Sequence, residues 1–244
     1  MDLSIVVTSF NYEKYIRNCI DSCIHQQNHD LKYEIIVVND GSTDGTAAIL
    51  DSYSMIQNIF IYNITNSGIE KASNYGFSKS KGNYIVRVDA DDALLPNYIK
   101  SIQEEIKNKK DFIYSNYSVV DEQGNIFIRE SKLPKFDVKE IMARGDFLAT
   151  GTAYRKDLIK FLDGYNESVT NSGLENYEFI IKLIEEGYQG YLVKDISFLY
   201  RRHALNISKL KKDVIINNGK ILFKNLNLGD FKTNKYHPYG LKVN

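Results

Sequence analysis

The chain has 244 residues, 43% hydrophobic and 25% charged, which suits one large α/β domain, or one domain with a short appendage. Its 31 basic and 31 acidic side chains cancel, which excludes a nucleic-acid binder that relies on a bulk basic field, and no nucleic-acid partner is expected. The apolar run Leu3 to Val7 is too short to span a bilayer and no signal-peptide core follows it, so the expected location is the cytoplasm.

In chain order, Leu3 to Thr8 is a compact β-branched run that reads as a strand. Asn11 to Gln27 carries Tyr15, Ile16, Cys19, Ile20, Cys23 and Ile24 at helical spacing. The two cysteines read as small buried helix residues, because no second pair or histidine pattern completes a zinc site. Tyr33 to Val38 is a second strand, and Asp44 can cap a helix through Ile49 and Leu50. Ile59 to Tyr62 is a third strand, Glu70 to Ser80 a helix and Tyr84 to Val88 a fourth strand. A helix from about Pro96 to Lys107 precedes the strand Phe112 to Ser115. Strands apolar on both faces, separated by amphipathic helices, imply a mostly parallel central sheet flanked by helices. Beyond residue 115 the pattern changes. Val119 to Arg129 reads as a hairpin, Thr150 to Tyr154 as a strand, Gly173 to Glu186 contains a helix, and Gly190 to Tyr200 is strand-rich. Apolar residues at helical spacing between 214 and 223 suggest a C-terminal helix and tail over 206–244.

In such a sheet ligands bind beyond the carboxyl ends of the strands. Four polar loops fall there: Thr8-Ser-Phe-Asn11, Asn39 to Asp44, Asn66-Ser-Gly68 and Asp89-Ala-Asp-Asp92. Three carboxylates within four residues repel one another unless a cation compensates, and a hard divalent ion shared with a diphosphate does so; a solvated helix-capping turn is the plain alternative. Asp40 can accept hydrogen bonds from a nucleobase or ribose, or form an ordinary Asx turn. Asp44 is explained by capping alone. Phe10 can stack on a base or belong to the core. No glycine-rich dinucleotide fingerprint follows the first strand and no phosphate-binding Gly-Lys-Ser/Thr loop occurs, which disfavours dehydrogenases and P-loop enzymes.

Three motifs, Ile5-Val-Val-Thr-Ser-Phe-Asn-Tyr12, Glu34 to Thr46 and Gly82 to Asp92, in this order and spacing resemble the family 2 inverting glycosyltransferases, whose nucleotide-binding fold is called GT-A. The resemblance covers about residues 3 to 203. It implies a GT-A domain over 1–205, with a nucleotide-binding half to about 115 and an acceptor half from 116. It implies that a sugar moves from a nucleoside diphosphate sugar, commonly a UDP-sugar, to a glycan or glycolipid acceptor, with possible peripheral association at the inner membrane face. Mn²⁺ or Mg²⁺ would be the cofactor. By the same resemblance Thr8, Phe10 and Asn11 line the base pocket and Asp40 binds the base. Asn66, Gly68 and Asn74 match the segment that closes over the nucleotide. Asp89 and Ala90 open the acidic motif, with Asp89 on the ribose or the metal, Asp91 on the metal and Asp92 a second metal candidate, and His203, followed by Asn206, belongs to a late segment that closes on the diphosphate. One departure stands out. The family's usual general base is the Asp of a Glu-Asp pair, and here Glu175 is followed by Asn176. A neutral amide cannot take a proton from an acceptor hydroxyl, so Glu175 or another carboxylate must serve. A non-catalytic sugar-nucleotide binder and a metal-dependent nucleotidyltransferase are the competing readings.

Overall fold

A computed structural model describes the chain except residues 28–29, 145–147, 149–150, 236, 238–241 and 244. Among the described residues nine strands form one sheet. The strands β1 (Leu3–Ser9), β2 (Tyr33–Asp40), β3 (Ile59–Ile64) and β4 (Tyr84–Asp89) run parallel in the order β3-β2-β1-β4. Burial alternates along β1: Leu3, Ile5 and Val7 join one core and Val6 the other, so both faces are covered. On one face pack α1 (Ile16–Ile24), α2 (Thr46–Asp51) and α4 (Tyr98–Lys107). On the other lies α3 (Ile69–Lys79), where a Cβ on Gly76 would meet Val6 Cγ1 at 2.4 Å, so helix and sheet touch without a side chain between them. Cys19 and Cys23 are free thiols in the core.

The second half departs from a simple parallel continuation. The strand β8 (Ala153–Arg155) enters antiparallel between β4 and β6 (Phe112–Val120). The expected strand at 112–115 and first arm of the hairpin are one strand, β6, with its register interrupted against β9 (Gly190–Arg201) between Ser115 and Tyr117. The hairpin's return is β7 (Ile126–Ser131), an exposed strand on β6. The two-residue β5 (Ala93–Leu94) ties the acidic loop to β9. Two short helices on the acceptor side are α5 (Val138–Arg144) and α6 (Lys156–Phe161), and α7 (Glu175–Glu185) packs its buried face into the α3-side core. The tail forms α8 (Ile207–Leu210) and α9 (Lys212–Asn225), with Ile215, Leu222 and Phe223 in that core. Thr150 of the expected strand at 150–154 lies outside the described residues.

Candidate active site

Parallel register brings the chemistry together. Thr8 lies beside Asp89 and Ser9 beside Asn39, so the loops after β1, β2 and β4 leave one edge of the sheet. Two cavities open there. The outer one, about 390 Å³, is lined by Phe10, Asn11, Asp40, Asn66, Gly68 and His203 among others. The inner one, about 120 Å³, is lined by Arg87, Asp89, Ala90, Asp91 and Glu175 among others. Thr8, Tyr12, Ile69, Asn171 and Ile207 border both, so the two are one continuous site.

Local bonding shapes the outer cavity. Asn11, at φ 60°, accepts the Thr43 N–H at 2.8 Å while its own N–H donates to Ser42 Oγ at 2.9 Å, joining the first two loops. Asp44 accepts the N–H groups of Thr46 (3.0 Å) and Glu13 (3.1 Å) and is spent on the turn one residue before the cap of α2, which is Gly45 and not Asp44. Asp40 is buried and holds the third loop: Oδ1 accepts the Ser67 N–H (2.8 Å) and Oδ2 the Gly68 N–H (3.0 Å). The Asn66 amide closes the ring by donating to the Asp40 carbonyl at 2.9 Å. Gly41, at φ 72°, leaves no room for a side chain, since a Cβ there would lie 2.7 Å from the Asn66 nitrogen. Phe10 is not core; it is 43% exposed at the cavity wall.

The inner cavity is a buried charge network. Asp91 Oδ2 meets His203 Nε2 at 2.8 Å and accepts from the Asn206 amide at 3.3 Å. His203 Nδ1 accepts the Leu205 N–H at 3.2 Å, so a tautomer carrying its proton on Nε2 satisfies both contacts. The ring stacks on Tyr15 with centroids 5.0 Å apart. Burial pushes the Asp91 carboxyl above its ordinary range, against the lowering hydrogen bond from His203. Arg87, two residues before Asp89 on the same face of β4, places Nε 3.2 Å from Asp89 Oδ1 and donates from Nη1 to Glu175 Oε1 at 2.9 Å. Its guanidinium lies over the Tyr165 ring at 5.4 Å. Burial alone would lower the Arg87 pKa, and Asp89, Tyr165 and Glu175 reverse that to a net rise. Tyr12 is pushed up by burial and by the acidic triplet, which keeps its phenol protonated as a donor.

Three of the residues singled out in the sequence are placed elsewhere. Asn74 lies outside both cavities and binds the far segment, accepting the Tyr165 N–H at 2.8 Å and donating to the Tyr165 carbonyl at 2.8 Å. Asp92 borders neither cavity; its Oδ1 accepts the Arg201 N–H at 2.8 Å, fastening the acidic loop to β9. Asn176, 1% exposed, also faces away and accepts the hydroxyls of Tyr154 (2.9 Å) and Tyr165 (3.1 Å). Residues 175 and 176 are about 100° apart around a helix, so only one of them faces the cavity. Conversely, Arg87, Tyr12 and Asn171 line the site and were given no role from the sequence, whereas Asn206 belongs to the late segment of His203. The one legible signal was a lone arginine inside the apolar strand Tyr84 to Val88.

Among the described residues no three acidic, histidine or cysteine side chains form a complete metal cage. Two carboxylates on one cavity wall, Asp89 and Asp91, nevertheless fit a hard divalent ion, which commonly keeps waters and substrate phosphates in its remaining positions.

The sequence model of glycosyl transferase family 2 matches residues 4–166. Glycosyltransferase GlyG of Streptococcus pneumoniae is 27% identical over 226 residues, 87% of this chain and 74% of that protein. A chondroitin synthase of Escherichia coli is 28% identical over 242 residues, which span 97% of this chain but 34% of the synthase. S. aureus TarS 1-349 in complex with UDP-GlcNAc shares the fold at a TM-score of 0.73 and 20% identity, over 94% of this chain and 67% of that one. The family match runs from the first strand past β8, more than half of the sequence, and the chain belongs to glycosyl transferase family 2.

Proposed function

We propose that this glycosyltransferase carries a sugar from a UDP-linked donor to a hydroxyl of a glycan or glycolipid, with inversion at the anomeric carbon and a divalent cation as cofactor. The observation that carries the reading is the junction of the two cavities, which runs from Asp40 and Phe10 at one end to Asp89, Asp91 and Glu175 at the other. That is the polarity of a nucleotide sugar: base outside, diphosphate in the middle, sugar inside. The name of the chondroitin synthase supports a polysaccharide product, and the TarS complex with UDP-GlcNAc supports a uridine nucleotide.

On this reading Phe10 stacks on the base and Asp40 accepts from it with lone pairs left over from Ser67 and Gly68. Asp91 with Asp89 would hold Mn²⁺ or Mg²⁺, which when bound supplies Lewis-acid stabilisation of charge on the diphosphate. His203 and Asn206 fix the Asp91 carboxylate, and Tyr12 lines both cavities. The acceptor oxygen bonds to the anomeric carbon as the bond to the diphosphate breaks and its electron pair leaves with the phosphate. The acceptor proton goes to Glu175, the inner-cavity carboxylate left once Asp89 and Asp91 are assigned to the cation. On this reading Glu175 supplies the proton acceptor that Asn176 cannot be.

The test is release of UDP from labelled UDP-sugars with a panel of glycan and glycolipid acceptors. Acceptor-dependent release with β-linked product is expected. Saturable donor binding with no turnover on any acceptor would contradict the catalytic part.

A further inference from the structure

Two loops wall the junction of the cavities, 66–68 and 170–173, and a buried carboxylate pins each by the same device. Asp40 takes two consecutive N–H groups, those of Ser67 and Gly68. Glu70, 1% exposed in the first turn of α3, takes two more from a segment a hundred residues away in sequence. Its Oε2 accepts the Asn171 N–H at 2.8 Å and its Oε1 the Ser172 N–H at 2.7 Å. Asn171 returns the contact, accepting the Ile69 N–H at 3.3 Å.

The clamped segment has little room to move. Asn171 and Gly173 hold φ of 52° and 69°. A Cβ on Gly173 would lie 2.8 Å from Ile215 Cγ1, so α9 backs the loop, and one on Gly68 would lie 2.4 Å from Thr170 Cγ2. Asn171 borders both cavities, Gly173 and Glu175 border the inner one, and the helix α7 begins at Glu175. Glu70 itself borders neither cavity.

We propose that Glu70 is a positioning residue that sets the 171–175 segment against the sugar of the donor, so that sugar recognition, and not nucleotide affinity, depends on it. The division follows from the direct bonds of the two clamps: Asp40 takes the N–H groups of the 66–68 loop at the outer cavity, and Glu70 takes those of 171–172, which lead into the Gly173 and Glu175 wall of the inner one. The inference rests on the donor reading above.

Glu70→Gln tests it with little change of volume. An amide offers one acceptor where the loop needs two, and turns its NH₂ against the other N–H. Calorimetry should find UDP affinity within about twofold of wild type. Affinity for whichever of UDP-glucose, UDP-galactose and UDP-GlcNAc the wild type prefers should fall at least tenfold, with the preference among them flattened. Equal weakening for UDP and the UDP-sugar, or no change for either, would overturn the proposal. If the variant fails to fold, hydrogen exchange on the wild type decides. The peptide covering 168–174 should gain protection on adding the preferred UDP-sugar but not UDP; equal protection by both overturns the proposal. A wild type that binds UDP but no UDP-sugar overturns the donor reading and this inference together, whereas normal sugar selection by Glu70→Gln overturns this inference alone.

Discussion

Glu175 and Asn176 are neighbours in sequence with opposite surroundings, the first at the inner cavity beside Arg87 and the second between two tyrosine hydroxyls. The account therefore expects Glu175→Gln to lower turnover by about 10²–10⁴-fold, the usual contribution of a general base. Asn176→Asp should raise turnover less than tenfold, and should lower stability by about 1–3 kcal/mol because it buries a charge in place of an amide. A steady-state assay with a thermal melt checks both, and a tenfold gain in Asn176→Asp would move the base to position 176. Asp40→Ala should weaken UDP binding by about 1.5–3 kcal/mol, measured by calorimetry. At this scale the sequence was informative where strand ends fix the address of a residue, as for Thr8, Asp40, Asp89 and Asp91. It was uninformative where the direction of a side chain depends on helical phase or on a distant partner. Asn74 is the clearest case: it sits on α3 near the 66–68 loop, yet its amide is committed to Tyr165.

Loops carry the site, and their shapes depend on contacts far apart in the chain. Gly68 holds φ 91° with Thr170 Cγ2 2.4 Å from a would-be Cβ. Gly68→Ala should cost about 1–3 kcal/mol through backbone strain, and it should also displace the 170–173 loop. Adding Thr170→Ala should restore part of the stability, by relieving the contact, but not the part due to φ. Chemical denaturation of the two single variants and the double checks this, and full recovery in the double would show that strain is absent. The parallel half was legible because each strand is a self-contained apolar run between amphipathic helices. In the mixed half the hairpin, the strand near 153, the helix from 175 and the strand from 190 were legible, but the antiparallel entry of β8 between β4 and β6 and the two-residue β5 were not, because both depend on neighbours in the sheet.

At the scale of the molecule, the tail is part of the structure that supports the site. The Asn234 N–H donates to the Ala143 carbonyl at 2.7 Å, and Phe231 packs on Gly219 and edge-on to Phe223, on the helix whose Ile215 backs the 170–173 loop. His237 is buried there, and desolvation lowers its pKa from 6.5 to about 4. The unfolded chain then binds a proton that the folded chain refuses, so stability should fall as pH drops from 6.5 towards 4 and change little above 6.5. In His237→Gln this component of the slope should vanish, which thermal melts across that range would record. The apolar spacing between 214 and 223 gave the tail helix, but not its particular contacts, since aromatic contacts such as Phe231 on Gly219 depend on the tertiary fold. The central claim, that one continuous site takes a nucleoside diphosphate sugar with a cation on Asp91, is tested most directly by calorimetry of the wild type and Asp91→Asn with UDP-sugars, with and without Mn²⁺. The account predicts saturable binding at one site per chain, strengthened by Mn²⁺ in the wild type and insensitive to it in a folded Asp91→Asn. The same Mn²⁺ response in both proteins, or no saturable binding in the wild type, would contradict it.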